Sequence, residues 1–218
     1  MLIDLHTHTY PISDDSFLSP GQLIDQAKLM GLDGICITDH DRFWMQRDID
    51  ELSQKHDFLV LPGCEITTEE GHLLVYGLQE YVFGMHKASF VKDLVDKAGG
   101  AIVFAHPYRR NYRPELSLSL EDYGTMIKKT CMNKAFSISD GIEVSNGRGS
   151  SGENTFSKDA ARLFMMRGTG ASDAHSIVDV GTYATEFERD IVTLDDLINE
   201  LKFGYYRPYS LRRVSQST

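Results

Sequence analysis

The chain opens on a short apolar run, Leu2-Ile3-Asp4-Leu5, that ends in His6-Thr7-His8. Its brevity, its branched side chains and the Thr, Pro, Ser and Asp that follow predict a buried strand rather than a helix. The same pattern returns along the chain. Gly34-Ile35-Cys36-Ile37 runs into Thr38-Asp39-His40, and Phe58-Leu59-Val60-Leu61 into Pro62-Gly63 and then Cys64-Glu65-Ile66-Thr67-Thr68. His72-Leu73-Leu74-Val75-Tyr76 continues as extended chain. Ala101-Ile102-Val103-Phe104-Ala105 ends in His106-Pro107, and Gly141-Ile142-Glu143-Val144 leads to Asn146-Gly147-Arg148. In each case the polar residues arrive at the carboxyl end, as in strands buried on both faces.

Between these runs, apolar residues recur at helical spacing. Leu23, Ile24, Ala27 and Met30 follow Ser19 as N-cap and Pro20 at the first helical position, and Gly31 closes the pattern. Helices are also predicted near residues 43–55, 86–98, 123–132, 154–166 and 193–201, the third of these six stopping at Gly99-Gly100 and the last capped by Thr193. Residues 180–187 read as a final strand, and the stretch from 108 to 139 is the least regular. Strand followed by helix, repeated without a linker or a shift in composition, predicts one α/β domain over residues 1–218. Its sheet should be parallel, open or closed into a barrel, with the active residues at the strand carboxyl ends.

Composition narrows the setting. No stretch approaches the roughly 18 consecutive apolar residues of a membrane helix, and Asp4 and His6 interrupt what a signal peptide would need, so a cytoplasmic protein without membrane contact is expected. The 32 acidic against 22 basic residues give a net charge of −10, which argues against stable binding to nucleic acid. Cys36, Cys64 and Cys131 are odd in number and lack Cys-x-x-Cys spacing, so packing is their expected role.

The histidines change the picture. All but His56 and His86 stand at strand ends: His6, His8, His40, His72, His106 and His175, together with Glu65, Asp173 and one acid of Asp14-Asp15. In extended chain, residues two apart share a face, so His6 and His8 can present two imidazoles to one point. Imidazoles converging on one rim would repel one another if protonated, and bound cations resolve that conflict. Glu143, inside an apolar strand, and Asp39 suit the orienting of ligand histidines. Trp44 suits packing or pocket lining.

Taken in order, Asp4-Leu5-His6-Thr7-His8, Asp15-Ser16 before Ser19-Pro20, Thr38-Asp39-His40, Gly63-Cys64-Glu65, Gly71-His72, His106-Pro107 and Ser172-Asp173-Ala174-His175 resemble the motifs of the polymerase and histidinol phosphatase, or PHP, superfamily. The resemblance implies a distorted seven-stranded (β/α)7 TIM-like barrel, a cluster of two or three divalent metals, and hydrolysis of phosphate esters. It places His6, His8, Glu65 and Asp173 on one metal, Glu65, His72 and His106 on a second, and Asp15 in preference to Asp14, His40 and His175 on a third, trinuclear when full. Glu65 would bridge the first two, and His40 or His175, where free of metal, could act as general acid. The nitrogen and oxygen donor set suits Zn, Mn or Fe.

The expected activity is a phosphatase's, on a small phosphorylated substrate. A monoester ranks ahead of a diester, because no polymerase module accompanies the chain and little room exists for the insertion of nucleotide-cleaving relatives. Arg148, Asn146 and Arg109 are the expected substrate contacts, with Arg110 and Arg113 nearby. The alternatives are a metal-binding regulatory domain without chemistry, or an amidohydrolase-type enzyme.

Overall fold

The computed structural model describes residues 1–116 and 119–212. Among these residues ten strands form two five-stranded sheets. The first holds β1 (Leu2–Thr7), β2 (Gly34–Ile37), β3 (Leu59–Pro62), β9 (Tyr183–Phe187) and β10 (Tyr206–Ser210), in the order β10-β9-β1-β2-β3. The second holds β4 (Cys64–Thr68), β5 (Gly71–Tyr76), β6 (Ala101–Phe104), β7 (Gly141–Asn146) and β8 (Gly168–Ala171), in that order. Helices α1 (Pro20–Leu29), α2 (Gln46–His56), α3 (Ala88–Ala98), α4 (Leu120–Cys131), α5 (Lys134–Ile138), α6 (Ser151–Leu163) and α7 (Leu194–Phe203) and a 3-10 turn at Pro114–Leu116 are the helical elements of these residues.

The predicted punctuation is present. Ser19 and Gln22 form a capping box ahead of Pro20, Thr193 accepts from the Asp196 backbone amide, and Gly99 ends α3 in the left-handed conformation at φ 72°. The uniform parallel sheet is not. β1-β2-β3 and β6-β7-β8 are parallel, whereas β4-β5-β6 and β1-β9-β10 run antiparallel. Between β4 and β5 the chain reverses within Glu69-Glu70, too short for the crossover that parallel strands need. β10, absent from the predicted elements, contains Pro208, which a sheet tolerates only at an edge such as this one.

The α/β class therefore stands, but among the described residues the hydrogen-bonded ladders do not close into a single seven-stranded barrel. The sheets meet instead at two isolated bridges, Thr7 with Ala174 and His40 with Glu65. The chain crosses from one sheet to the other at Gly63. A Cβ there would lie 2.9 Å from both Thr38 Cγ2 and Tyr76 Cε1, so the crossing demands a residue without a side chain. Ile3, Leu5, Cys36, Leu61, Leu74, Tyr76 and Val103 fill the space between the sheets. Leu23, Ile24, Ala27, Ile35 and Ile37 pack α1 on the outer face of the first sheet. The three cysteines are buried and unpaired, and among the described residues no helix is long and apolar enough to cross a membrane.

The register of β1 against β2 shifts between Asp4 and Thr7, just where His6 leaves the strand. The buried hydroxyl of Tyr76, on the opposing sheet, donates to the Leu5 carbonyl there at 2.8 Å. Tyr76→Phe removes that donor and leaves the carbonyl buried without this partner, so the variant should lose about 1–3 kcal/mol of stability in urea unfolding. An unchanged midpoint would show that the bond holds nothing.

Candidate metal centre

Glu65 is wholly buried, and imidazole nitrogens surround its carboxylate. Oε1 lies 2.7 Å from His72 Nδ1 and 2.9 Å from His106 Nε2. Oε2 lies 3.1 Å from His6 Nε2, 3.2 Å from His8 Nε2 and 3.1 Å from His40 Nδ1. Asp173 Oδ1 approaches the same two nitrogens of His6 and His8 at 3.6 and 3.5 Å. A second grouping lies on the open side, where Asp15 Oδ2 is 3.0 Å from His175 Nε2 and 3.5 Å from His40 Nε2. Asp15 and His40 are partly exposed, and Asp14 makes no side-chain contact with either ring. The ligands expected from the sequence thus come together from the ends of β1, β2, β4, β6 and β8 and from the loop before α1. His72 comes from the start of β5, which the antiparallel pairing of Thr67 with His72 brings to the same rim.

Neighbouring groups fix the rings. Glu143 Oε1 accepts from His6 Nδ1 at 3.0 Å, and its Oε2 accepts from the His106 backbone amide at 2.7 Å and from Asn146 Nδ2 at 3.0 Å. A carboxylate only accepts, so His6 carries its proton on Nδ1 and turns Nε2 toward Glu65. His8 is set by a relay: Ser13 Oγ donates to Asp39 at 2.7 Å and is left to accept from His8 Nδ1 at 3.3 Å. Asp39 also accepts from Thr9 and from Trp44 Nε1, the latter at 2.8 Å. Arg109 donates to Asp173 Oδ2 at 2.6 Å, and Asn146 donates to the same oxygen at 3.2 Å.

Among the ligand candidates, four buried atoms are left with no hydrogen-bond partner among the described residues: His6 Nε2, His8 Nε2, Glu65 Oε2 and Asp173 Oδ1. They face one another. With Nδ1 of both rings bound elsewhere, lone pairs meet lone pairs at about hydrogen-bond distance, an arrangement that is costly unless a positive charge stands among them. Without a cation, protons on the two rings must supply that charge. Burial would lower both, but the carboxylates of Glu65, Asp173 and Glu143 around His6, and of Asp173 and Glu65 around His8, outweigh it and hold both rings above their ordinary pKa, His6 well above it. Burial likewise opposes Glu65 and Asp173, yet the imidazoles of His6, His106 and His72 around Glu65, and of His6, His8 and His106 around Asp173, hold both carboxyls far down. His106, His40 and His175 are pushed down instead, by burial first, with the His8 ring beside the last two adding to it. The cluster cannot carry a proton on every ring.

The substrate-contact candidates separate. Arg148 is exposed, with Nη1 2.9 Å from His175 Nδ1, and Arg109 is half-buried against Asp173. Asn146 is wholly buried: its amide nitrogen donates to Glu143 and Asp173, and its oxygen accepts from Tyr108 and from the Arg148 amide. Its hydrogen-bonding capacity is spent beneath the ligands rather than on the open rim. His106 and Asp173 both take left-handed backbone, at φ 26° and 53°, a conformation that the packing around a functional site sustains. Asp4 belongs to the same shell: burial lifts it to about 7, and its Oδ1 accepts from the Ser172 amide at 3.0 Å. Its position two residues before His6 signals that shared face. For Ser13, nothing in the local pattern does.

The fold has counterparts. The two-domain protein of Bacteroides vulgatus that contains a predicted PHP-like metal-dependent phosphoesterase superposes with a TM-score of 0.67 at 19% identity, over 96% of this chain and 64% of that one. The chain thus spans just under two thirds of that protein. PsfC of Pseudomonas syringae superposes with a TM-score of 0.65 at 17% identity, over 96% of this chain and 91% of that one. An uncharacterized protein of Methanocaldococcus jannaschii is 27% identical over 120 residues, covering 50% of this chain and 68% of that protein. Residues 152–205, with Asp173 and His175, match the family profile described as PHP-associated. Residues 4–140, which hold His6, His8, Asp15, His40, Glu65, His72 and His106, match that of the PHP domain, and the chain belongs to the PHP domain family.

Proposed function

We propose that this protein is a metal-dependent hydrolase of phosphate esters. The observation that supports this reading best is the convergence of His6 Nε2, His8 Nε2, Glu65 Oε2 and Asp173 Oδ1, buried and without hydrogen-bond partners. They would hold one divalent cation, Glu65 with His72 and His106 a second, and Asp15 with His40 and His175 a third. Imidazole and carboxylate donors without a thiolate suit Zn²⁺, Mn²⁺ or Fe²⁺. When bound, such cations supply Lewis acidity toward phosphoryl oxygens and a water acidified toward neutral pH, which slow phosphate-ester hydrolysis requires.

The chain's own groups do the rest. Glu143 and Ser13 keep the His6 and His8 lone pairs aimed inward, and Arg109 with Asn146 holds the outer oxygen of Asp173 so that the inner one stays free. The partial exposure of Asp15 and His40 marks the side from which a phosphate would enter. Arg148, exposed beside His175, would pair with a phosphoryl oxygen turned away from the ligands. With the third cation absent, His40 or His175 could donate a proton to the leaving oxygen. A small monoester, rather than a diester, is the first substrate to try.

The direct test loads purified protein with Zn²⁺, Mn²⁺ or Fe²⁺, measures bound metal by elemental analysis and follows hydrolysis of p-nitrophenyl phosphate. Metal should bind, turnover should depend on it, and inorganic phosphate should inhibit competitively. Protein that binds none of the three would overturn the reading, and metal without turnover of any phosphate ester would point to a regulatory domain. Glu65→Gln keeps the shape of the residue but removes the charge shared by five imidazole contacts, so activity should fall by several orders of magnitude with the fold retained. Retained activity would move the bridging role elsewhere.

Glu143→Gln separates orienting from ligation. A side-chain amide cannot accept at both ends, so either His6 Nδ1–H or the His106 backbone amide loses its acceptor. Metal affinity should drop by about 10- to 100-fold in a competitive chelator titration, the usual cost of losing a group behind a ligand. Unchanged affinity would leave Glu143 a structural residue only.

A further inference from the structure

We infer that Arg148 competes with a cation in the open position for His175, so that filling this position turns the guanidinium toward the substrate's phosphoryl group; this rests on the phosphoesterase reading. The His175 ring is buried and packs on the His8 ring, with centroids 4.3 Å apart. Its two nitrogens face different neighbours. Nε2 lies 3.0 Å from Asp15 Oδ2, and Nδ1 lies 2.9 Å from both Arg148 Nη1 and the Asp173 carbonyl oxygen.

Nδ1 cannot serve both. A guanidinium only donates and a carbonyl only accepts, so Nδ1 meets Arg148 with a lone pair or Asp173 with a proton. In the first state the proton sits on Nε2 and points at the Asp15 carboxylate, and both contacts of the ring are charge-assisted. In the second, Nε2 presents its lone pair, which ligation of a cation at that nitrogen requires. A ring protonated at both nitrogens also offers Arg148 no acceptor. The contact between Arg148 and Nδ1 therefore belongs to a neutral ring that does not ligate through Nε2, and the ligating ring must release it.

Arg148 can change partners without moving its backbone. Its amide donates to Asn146 Oδ1 at 2.9 Å, the Gly147 amide donates to the Ala171 carbonyl at 2.9 Å, and the Arg212 guanidinium donates to the Gly147 carbonyl. A Cβ at Gly147 would lie 2.1 Å from Thr182 Oγ1, so the turn is also close-packed. The Arg148 side chain is exposed instead, and among the described residues no carboxylate pairs with it. Released from His175, it has a phosphoryl oxygen to turn to, and a guanidinium matches phosphate in two-point geometry. The solvent-facing ligands thus also decide whether the phosphate-binding arginine is held back or free.

Three measurements on the whole chain test this. Nitrogen NMR of the metal-free protein at neutral pH should find the His175 ring neutral, with its proton on Nε2. In a Zn²⁺ titration, Arg148→Ala should bind the last equivalent about 10-fold more tightly than the wild type, the scale of one charge-assisted hydrogen bond, with the earlier equivalents unchanged. The gain should persist in about 0.5 M salt, which screens simple repulsion between Arg148 and the cation. Calorimetry with inorganic phosphate should then show Arg148→Ala losing about 10-fold in affinity with three equivalents bound and little with two. A metal-free ring protonated on Nδ1 or on both nitrogens, a last equivalent bound no more tightly by the variant or only at low salt, a protein that takes no third equivalent, or equal phosphate losses at two and three equivalents would overturn the competition. If no phosphate ester is hydrolysed, the phosphoesterase reading fails separately, and the ring and metal measurements still decide.

Discussion

The Glu65 carboxylate is the constraint on which the rest of the structure depends. It is a fully buried charge, and a buried charge persists only if partners compensate for its lost hydration. Five imidazoles approach it, from both sheets and from strands far apart in sequence. The backbone follows the same point: the bridge between His40 and Glu65 is one of the two isolated β-bridges that join the sheets among the described residues. Gly63 stands immediately before this bridge because the chain must pass between Thr38 and Tyr76 to reach it. Fold and site therefore share one device, and the residues that join the sheets are also those that surround the carboxylate.

The mixed topology serves that device. A parallel strand at the β5 position would enter from the opposite end and carry its first residues away from the rim. Run antiparallel to β4, β5 begins at the rim, and His72 reaches Glu65 from seven residues along the chain. β7 then sets Glu143 behind His6 and His106 together, so that one carboxylate holds the ring of the first and the backbone of the second.

Much of this was legible in the sequence, and for a physical reason. Strands buried on both faces announce themselves as apolar runs, and polar residues that follow at their ends have few roles other than the site. Hence the ligand candidates, the capped helices and the orienting role of Glu143 could all be read one segment at a time. What could not be read depends on pairing. Whether β5 runs with or against β4 is decided by a two-residue reversal, and β10 has the composition of a loop until an edge position excuses Pro208. Asn146 shows the same limit at the site. Its place after a strand suggested a rim residue, but the asparagine at 154 accepts from the amide of 146 and donates to its carbonyl, holding the turn inward beneath Asp173.

The two sides of the cluster are unequal, and their difference follows from solvent. His6, His8, Glu65 and Asp173 lie out of water, with each outer atom held by a neighbour, so no relaxation of the side chains can relieve the meeting of lone pairs. Asp15 has half of its side chain in water and His40 about a quarter (50% and 27%), and both can be hydrated or turn aside. A cation among the first four would complete the packing of the interior, whereas one between Asp15, His40 and His175 would compete with water for ligands that already have an alternative. On the metal reading, the closed position would be the structural partner of the fold and the open one would be where exchange with solvent takes place.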